Sequence, residues 1–282
     1  MTKPIISACL ITYNQEDYIE QALQGCLNQK LSVEYEIVIG DDASTDNTRV
    51  ILEKAAAADS RIRLLPPTSN LGMHGNWERT IEACDGQFIA ICEGDDFWND
   101  SNKLSKQLQL LENNPTAAAC FGNAEVINSN GEKDVYPYVD GHITNLKAEE
   151  FFAMDHNPVP TCTVLFRRSC FNKFPKAYYE SPFADWILHT LLFQTGPYVY
   201  LNESSSCYRK HEAGVWSGSG EEKKLLNKLK VLSIIRSIVD LRYQPYVQSA
   251  IRNHLDQLLY FYRSTGERYK YMNTWVKLKL AR

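Results

Sequence analysis

Short apolar runs, each followed by a stretch with apolar positions at helical spacing, recur through the first third of this chain and confine it to few architectures. The runs are residues 5–11, 35–39, 62–65 and 88–92. Between them, residues 18–29 place Ile19, Ala22, Leu23, Cys26 and Leu27 on one helical face. Residues 46–58 read as a helix capped by Thr45 or Asp46, and residues 76–84 as a third. A strand with one face in water alternates polar and apolar residues; these do not, so both faces are buried. The predicted class is α/β, a Rossmann-like, mostly parallel sheet flanked by helices.

Ligands of such sheets bind beyond the carboxyl ends of the strands. That rule selects Thr12-Tyr13-Asn14, Asp41-Asp42-Ala43-Ser44-Thr45-Asp46 and Glu93-Gly94-Asp95-Asp96, which hold the conspicuous polar chemistry of the N-terminal half. The last is a knot of acids at the end of a buried strand. Mutually repelling carboxylates are put to joint use by a divalent cation, since Mg²⁺ is commonly held by one or two carboxylates plus substrate phosphates. The bland alternative is a solvated turn and helix cap. Two consecutive acids at Asp41 and Asp42 exceed what a cap requires. A carboxylate there can accept a pyrimidine N–H or ribose hydroxyls, and Tyr13 can stack on a base, which together describe a nucleoside pocket.

Charge is nearly balanced, with 30 Lys and Arg against 34 Asp and Glu, so a general nucleic-acid binder is not expected. The eight cysteines are scattered through apolar segments with no CxxC pair and read as buried thiols of a reduced compartment. The first residues leave no room for a signal-peptide core, and no stretch reaches the roughly 18 apolar residues of a spanning helix. The expected location is cytoplasmic, with at most peripheral attachment to a membrane.

Further on, residues 101–113 read as helix, 118–127 as strand, and Asn128-Ser129-Asn130-Gly131 as a turn. A looser α+β pattern follows, with helices over 146–154 and 184–194 and strands over 162–166 and 198–201. From residue 221 the chain reads as helical, with a break near Gln244-Pro245. The expected organisation is a catalytic domain over residues 1–219 and a helical C-terminal extension over 220–282. Aromatic and basic residues mix in 260–263 and 269–282. That mixture suits docking on an anionic membrane; packing on the catalytic domain or homodimer formation are the alternatives.

The ordered motifs Ile5 to Asn14, Ile39-Gly40-Asp41-Asp42-Ala43-Ser44-Thr45-Asp46-Asn47-Thr48, Asn70-Leu71-Gly72 with Asn76, Gly86 to Ala90, Glu93-Gly94-Asp95-Asp96, and Lys103-Leu104 with Gln107 resemble the family 2 glycosyltransferases of the GT-A fold. The resemblance covers residues 4–217. It implies that Asp42 binds the donor base, Asp95 the ribose side, and Asp96 an Mn²⁺ or Mg²⁺ bridging the diphosphate. Thr12, Tyr13, Asn14, Asp41, Asn70, Gly72 and Asn76 belong to the same donor-binding motifs. Glu93 departs from the family's usual Asp at the head of the metal motif.

Asp185, beside Trp186 at the start of a helix, stands where the family carries its general base; a helix cap is the alternative. Cys207-Tyr208-Arg209-Lys210-His211 resembles the family's Tyr-Arg-x-His segment, which makes His211 a metal or diphosphate contact, ahead of a Gly-rich stretch that could close as a lid. With one metal site and one base, the implied chemistry is a single displacement with inversion. The expected donor is a UDP-sugar, with a dTDP-sugar also compatible, and the acceptor a glycan or lipid-linked saccharide. A nucleotidyltransferase would carry a Gly-rich basic loop after the first strand, which is lacking here, and a sugar-nucleotide-binding pseudoenzyme would not need all these acids.

Overall fold

In the computed structural model, residues 4–128, 130–136, 145–211 and 220–280 are described. The elements begin β1 (Ile6–Thr12), α1 (Ile19–Leu27), β2 (Tyr35–Asp41), α2 (Thr48–Ala58), β3 (Ile62–Leu64), α3 (Gly72–Ala83), β4 (Phe88–Glu93), β5 (Phe97–Trp98) and α4 (Lys103–Glu112). They continue with β6 (Ala119–Asn128), β7 (Lys133–Tyr136), β8 (Asn145–Leu146), α5 (Ala148–Ala153), β9 (Leu165–Arg167), α6 (Ala184–Phe193), β10 (Tyr198–Lys210), α7 (Glu221–Ile238), α8 (Gln244–Ser264) and α9 (Arg268–Leu280).

Packing divides the chain into two compact units, each described by itself. The first comprises Met1–Leu146, Val159–Phe174 and Thr195–Lys210; the second comprises Lys147–Pro158, Pro175–Gln194 and His211–Arg282. Sequence reasoning draws one boundary after residue 219. Packing instead groups α5 and α6 with the C-terminal helices, because Phe151 stacks on Phe193 at 4.1 Å and Phe152 meets Tyr243 at 4.8 Å.

The first unit holds the whole sheet, in the order β3-β2-β1-β4-β9-β6-β10-β5, with β7 on β6 and β8 on β10. Its long ladders are parallel. β1 pairs with β2 from Ile6↔Tyr35 to Thr12↔Asp41 and with β4 from Ile6↔Phe88 to Ile11↔Glu93. This register carries Thr12, Asp41 and Glu93 to one edge. The antiparallel pairings are short, and among them β9 enters between β4 and β6. Every residue of β1 is buried, and Ile19, Ala22, Leu23 and Cys26 of α1 join the same core cluster as the sheet. Each buried Ile or Leu among them contributes about 1.5–3 kcal/mol.

Among the described residues the core admits one cation, on α4. Lys103 is fully buried, its Nζ donating to Gln107 Oε1 at 2.7 Å and lying 4.4 Å from the centre of the Trp98 ring. Burial lowers this ammonium to about 8. The eight cysteines are free thiols, all buried but the half-buried Cys170.

In the second unit, Leu225, Leu258 and Tyr262 form a small core with Phe261 and Tyr271 packed on it. Lys270 bridges Glu222 and Glu267 at 2.7 Å each, which ties α9 to α7. The expected break near Gln244-Pro245 falls earlier, over residues 239–243. Pro245 sits in the first turn of α8, where its missing N–H costs no helical hydrogen bond, so it starts a helix and does not interrupt one. No described helix is long and apolar enough to cross a membrane.

Candidate functional site

The loops after β1, β2 and β4 are stitched together by their own polar atoms. Asp42 N–H donates to Thr12 O at 3.0 Å, and Gly94 N–H to Ile11 O at 2.8 Å. Asn14 takes a left-handed φ of 50° that suits an asparagine. Its N–H donates to Ser44 Oγ at 2.9 Å and its Oδ1 accepts from Thr45 N–H at 2.7 Å. Thr12 Oγ1 donates to Gln15 Oε1 at 2.7 Å. A Cβ on Gly94 would lie 2.7 Å from Thr12 Oγ1 and 2.4 Å from Gln15 Oε1, so only glycine lets the acidic loop approach β1 this closely.

Sequence reasoning groups Asp41 and Asp42 as donor contacts; the structure gives them different surroundings. Asp41 is buried, its Oδ1 accepting from Ser44 Oγ at 2.5 Å, with Arg49 at 3.8 Å from Oδ2. Asp42 is also buried, and its Oδ1 accepts from Leu71 N–H at 2.7 Å. Asn70 Nδ2 donates to Asp42 O at 2.9 Å, while its Oδ1 accepts from Gly72 N–H at 3.0 Å. Gly72 has a φ of 73° with open space around it, a turn that opens α3. Asn76 lies inside, donating to Gly40 O at 2.8 Å and Thr12 O at 3.4 Å, which pins α3 to β2 and β1. Tyr13 stands out at 47% exposure, the one large aromatic of these loops turned to solvent.

The acidic loop is a tight turn closed by Asp96 N–H to Glu93 O at 2.9 Å. Of its two aspartates, Asp95 and Asp96, only Asp96 is deeply buried, at 1% exposure. Its Oδ1 accepts from the N–H of Arg209 at 2.9 Å. Burial first, and then the charge of Asp95, push the Asp96 carboxyl well above the usual range, which the Arg209 N–H and the Cys162 thiol only partly offset. A carboxylate so costly to ionise alone is stabilised by a cation. Among the described residues no three His, Cys, Asp or Glu side chains converge as a ready cage. The hard oxygen donors of Asp95 and Asp96 fit an ion that completes its shell with phosphate oxygens.

Sequence reasoning missed the weight carried by Arg209. Its Nη1 donates to Asp95 O at 2.5 Å, its Nη2 to Gln21 Oε1, and its guanidinium lies over Phe97 at 4.5 Å and Tyr18 at 5.2 Å. It fastens the acidic turn to α1 and β10. Its signal in the sequence is its place in the Tyr-Arg-x-His segment.

The second unit carries Asp185 and His211. Asp185 lies half-buried in the first turn of α6, whose N-cap, Phe183, has no side-chain cap bond. Its Oδ2 accepts from Asn157 Nδ2 at 2.8 Å. Trp186 is buried at 3% exposure, as expected of core packing. His211 is half-buried directly after β10. The Gly-rich stretch expected as a lid lies, apart from Gly220, outside the described residues.

The Glycosyl transferase family 2 model matches residues 7–173, and the chain belongs to that family. It is 34% identical over 222 residues to an uncharacterized protein of Mycobacterium tuberculosis, an alignment that spans 78% of this chain but 62% of that relative. In fold it is similar to Staphylococcus aureus TarS 1–349 in complex with UDP-GlcNAc, with a TM-score of 0.70, 18% identity and coverage of 98% of this chain and 81% of that one. It is likewise similar to the mannosyltransferase PcManGT of Pyrobaculum calidifontis in complex with GDP-Man and Mn²⁺, with a TM-score of 0.66, 14% identity and coverage of 100% and 85%. The fold is therefore GT-A.

Proposed function

We propose that this protein is an inverting glycosyltransferase that moves a sugar from a nucleotide-diphosphate donor, a UDP-sugar in preference to a dTDP-sugar, to a hydroxyl of a glycan or lipid-linked saccharide. The observation that carries the reading is the register of β1, β2 and β4, which delivers Tyr13, Asp42 and the Asp95-Asp96 pair to one sheet edge. The UDP-GlcNAc complex of TarS supports a uridine donor; the GDP-Man complex of PcManGT shows that the fold alone does not fix the base.

In this reading Tyr13 stacks on the base, Asp42 accepts its N–H through the oxygen not given to Leu71, and Asp95 binds on the ribose side. A divalent cation held by Asp96 and Asp95 supplies, when bound, Lewis-acid stabilisation of charge on the departing diphosphate. His211 contacts the same diphosphate. Asp185 takes the proton of the acceptor hydroxyl as that oxygen attacks the anomeric carbon and the bond to the diphosphate breaks. One base and one displacement invert the anomeric centre. The C-terminal helices serve as the contact with an anionic membrane, a role for which their exposed aromatic and basic residues are suited.

The test pairs binding with turnover. UDP, dTDP and GDP are compared by thermal shift with and without Mn²⁺; a ligand that binds only the folded chain raises its midpoint, and the largest Mn²⁺-dependent rise is expected for UDP. Asp185→Asn keeps size and hydrogen bonding but cannot take a proton, so donor affinity should survive while transfer falls about 10²–10⁴-fold. Near-normal transfer by Asp185→Asn would move the base elsewhere, and no Mn²⁺-dependent response to any of the three nucleotides would remove the donor site.

A further inference from the structure

The second unit holds a set of polar side chains that the proposed transfer leaves unused. His254 on α8 is fully buried, and its Nε2 lies 2.7 Å from the carbonyl of Leu225 on α7. A carbonyl only accepts, so Nε2 carries a proton. Nδ1 then faces Asp155 Oδ2 at 3.8 Å. The same carboxylate oxygen accepts from Gln257 Nε2 on α8, and His156 Nδ1 lies 3.3 Å from Oδ1. The hydrogen bond with His156 holds the Asp155 carboxyl well below the usual range. Asp155 is thus an anion pinned to α8. Two residues on, Asn157 Nδ2 donates to Asp185 Oδ2.

We infer that Asn157 is a positioning residue for Asp185, and that Asp155 is the anchor that holds its segment in place. The inference rests on the reading of Asp185 as the base. A carboxylate on a short side chain turns about two bonds, and a general base works only when its oxygen stands within hydrogen-bond reach of the proton it removes. An amide N–H on one oxygen fixes the plane of the carboxylate and favours its ionised form, the form a base needs. Asn157 can do this because its own backbone is tethered: the segment leaving α5 is fastened to α8 through Asp155 and Gln257. The neighbouring titratable group on α6, His189, is fully buried and held neutral, lowered by burial to about 3, so it brings no charge to Asp185.

Two variants test this on the full chain. Asn157→Ala removes the N–H, and Asn157→Asp keeps the volume but sets a second carboxylate beside Asp185. The first readout needs no substrate: the Asp185 carboxyl is titrated by ¹³C NMR, with Asp185→Asn assigning its signal. Loss of the hydrogen bond should raise its midpoint by about one unit in Asn157→Ala, and the added like charge should raise it further in Asn157→Asp. The second readout is UDP release from UDP-glucose with Mn²⁺, water taking the glucosyl group as the acceptor hydroxyl, where Asn157→Ala should lower kcat about 10- to 100-fold and leave the donor KM unchanged.

An unchanged midpoint and an unchanged kcat in both variants, while Asp185→Asn is inactive, overturn the positioning role and leave the base assignment standing. Full activity in Asp185→Asn overturns the base assignment, and the positioning role with it. Should Asn157→Ala fail to fold, the isosteric Asn157→Asp carries both readouts, and a wild-type midpoint in that variant overturns the inference.

Discussion

At the scale of single residues, Asp96 concentrates the chemistry of the first unit. A carboxyl at 1% exposure, with one N–H from Arg209 and an acid as neighbour, is costly to ionise, and a cation lowers that cost. Asp96→Ala removes a desolvated acid and leaves the Arg209 N–H without this acceptor. Those effects oppose each other at about 1–3 kcal/mol, so the fold should survive. The expected result in calorimetry is UDP binding that no longer responds to Mn²⁺; unchanged Mn²⁺-dependent affinity would dismiss Asp96 as a ligand. Asp41, one residue from the proposed base contact, shows how little neighbouring acids need share, since Ser44 and Arg49 already engage its carboxylate.

At the scale of elements, α6 carries its own pH sensitivity. His189 is buried, and burial lowers it to about 3, whereas an unfolded chain leaves a histidine near 6.5. Both states are neutral at pH 7.5. As pH falls through 6.5 the unfolded chain takes up a proton that the folded one refuses, so stability is lost progressively down to about pH 3, by on the order of 4–5 kcal/mol in all. Urea unfolding at pH 7.5 and pH 5 should therefore show a loss of about 2 kcal/mol that His189→Leu lacks; equal losses in the two proteins would refute the linkage. Elements such as β1, β2 and β4 were legible in the sequence because buried parallel strands are written as unbroken apolar runs. The strand expected over 162–166 is found only at its end, where β9 begins at Leu165 while Thr161–Thr163 form a 3-10 turn, and its antiparallel insertion between β4 and β6 was not legible, since an apolar run does not name its partners. The far half of β10 was missed because Asn202, Glu203 and Ser204 to Ser206 carry little strand signal, and pairing with β6 decides the matter. In the site, the acids at strand ends were legible from topology alone. Asn157 was not, because nothing in a sequence shows that a residue 28 positions upstream of Asp185 meets its carboxylate.

At the scale of the whole molecule, charge is divided along the chain. Residues 220–282 hold 13 of the 30 Lys and Arg but only 5 of the 34 Asp and Glu, so the first 219 residues hold 17 bases against 29 acids. Tyr269, Met272 and Val276 lie exposed on α9 at helical spacing, beside an exposed Arg268. Co-sedimentation with vesicles containing anionic lipid should recover the full chain in the pellet at low salt and release it as salt rises. If a variant truncated after residue 264 pellets equally well, the helix plays no part in any attachment. The sheet order has a different consequence, for synthesis. Once β4 has left the ribosome it can pair with β1 on one side, but its other neighbour, β9, begins at Leu165. At about 5–20 residues per second, the roughly 70 residues between them take on the order of 4–15 s to be made. Through that interval the nascent chain carries an apolar strand with an open edge, a ready template for pairing with another copy, and a chaperone that covers this segment during translation protects the product before it has an active site to lose.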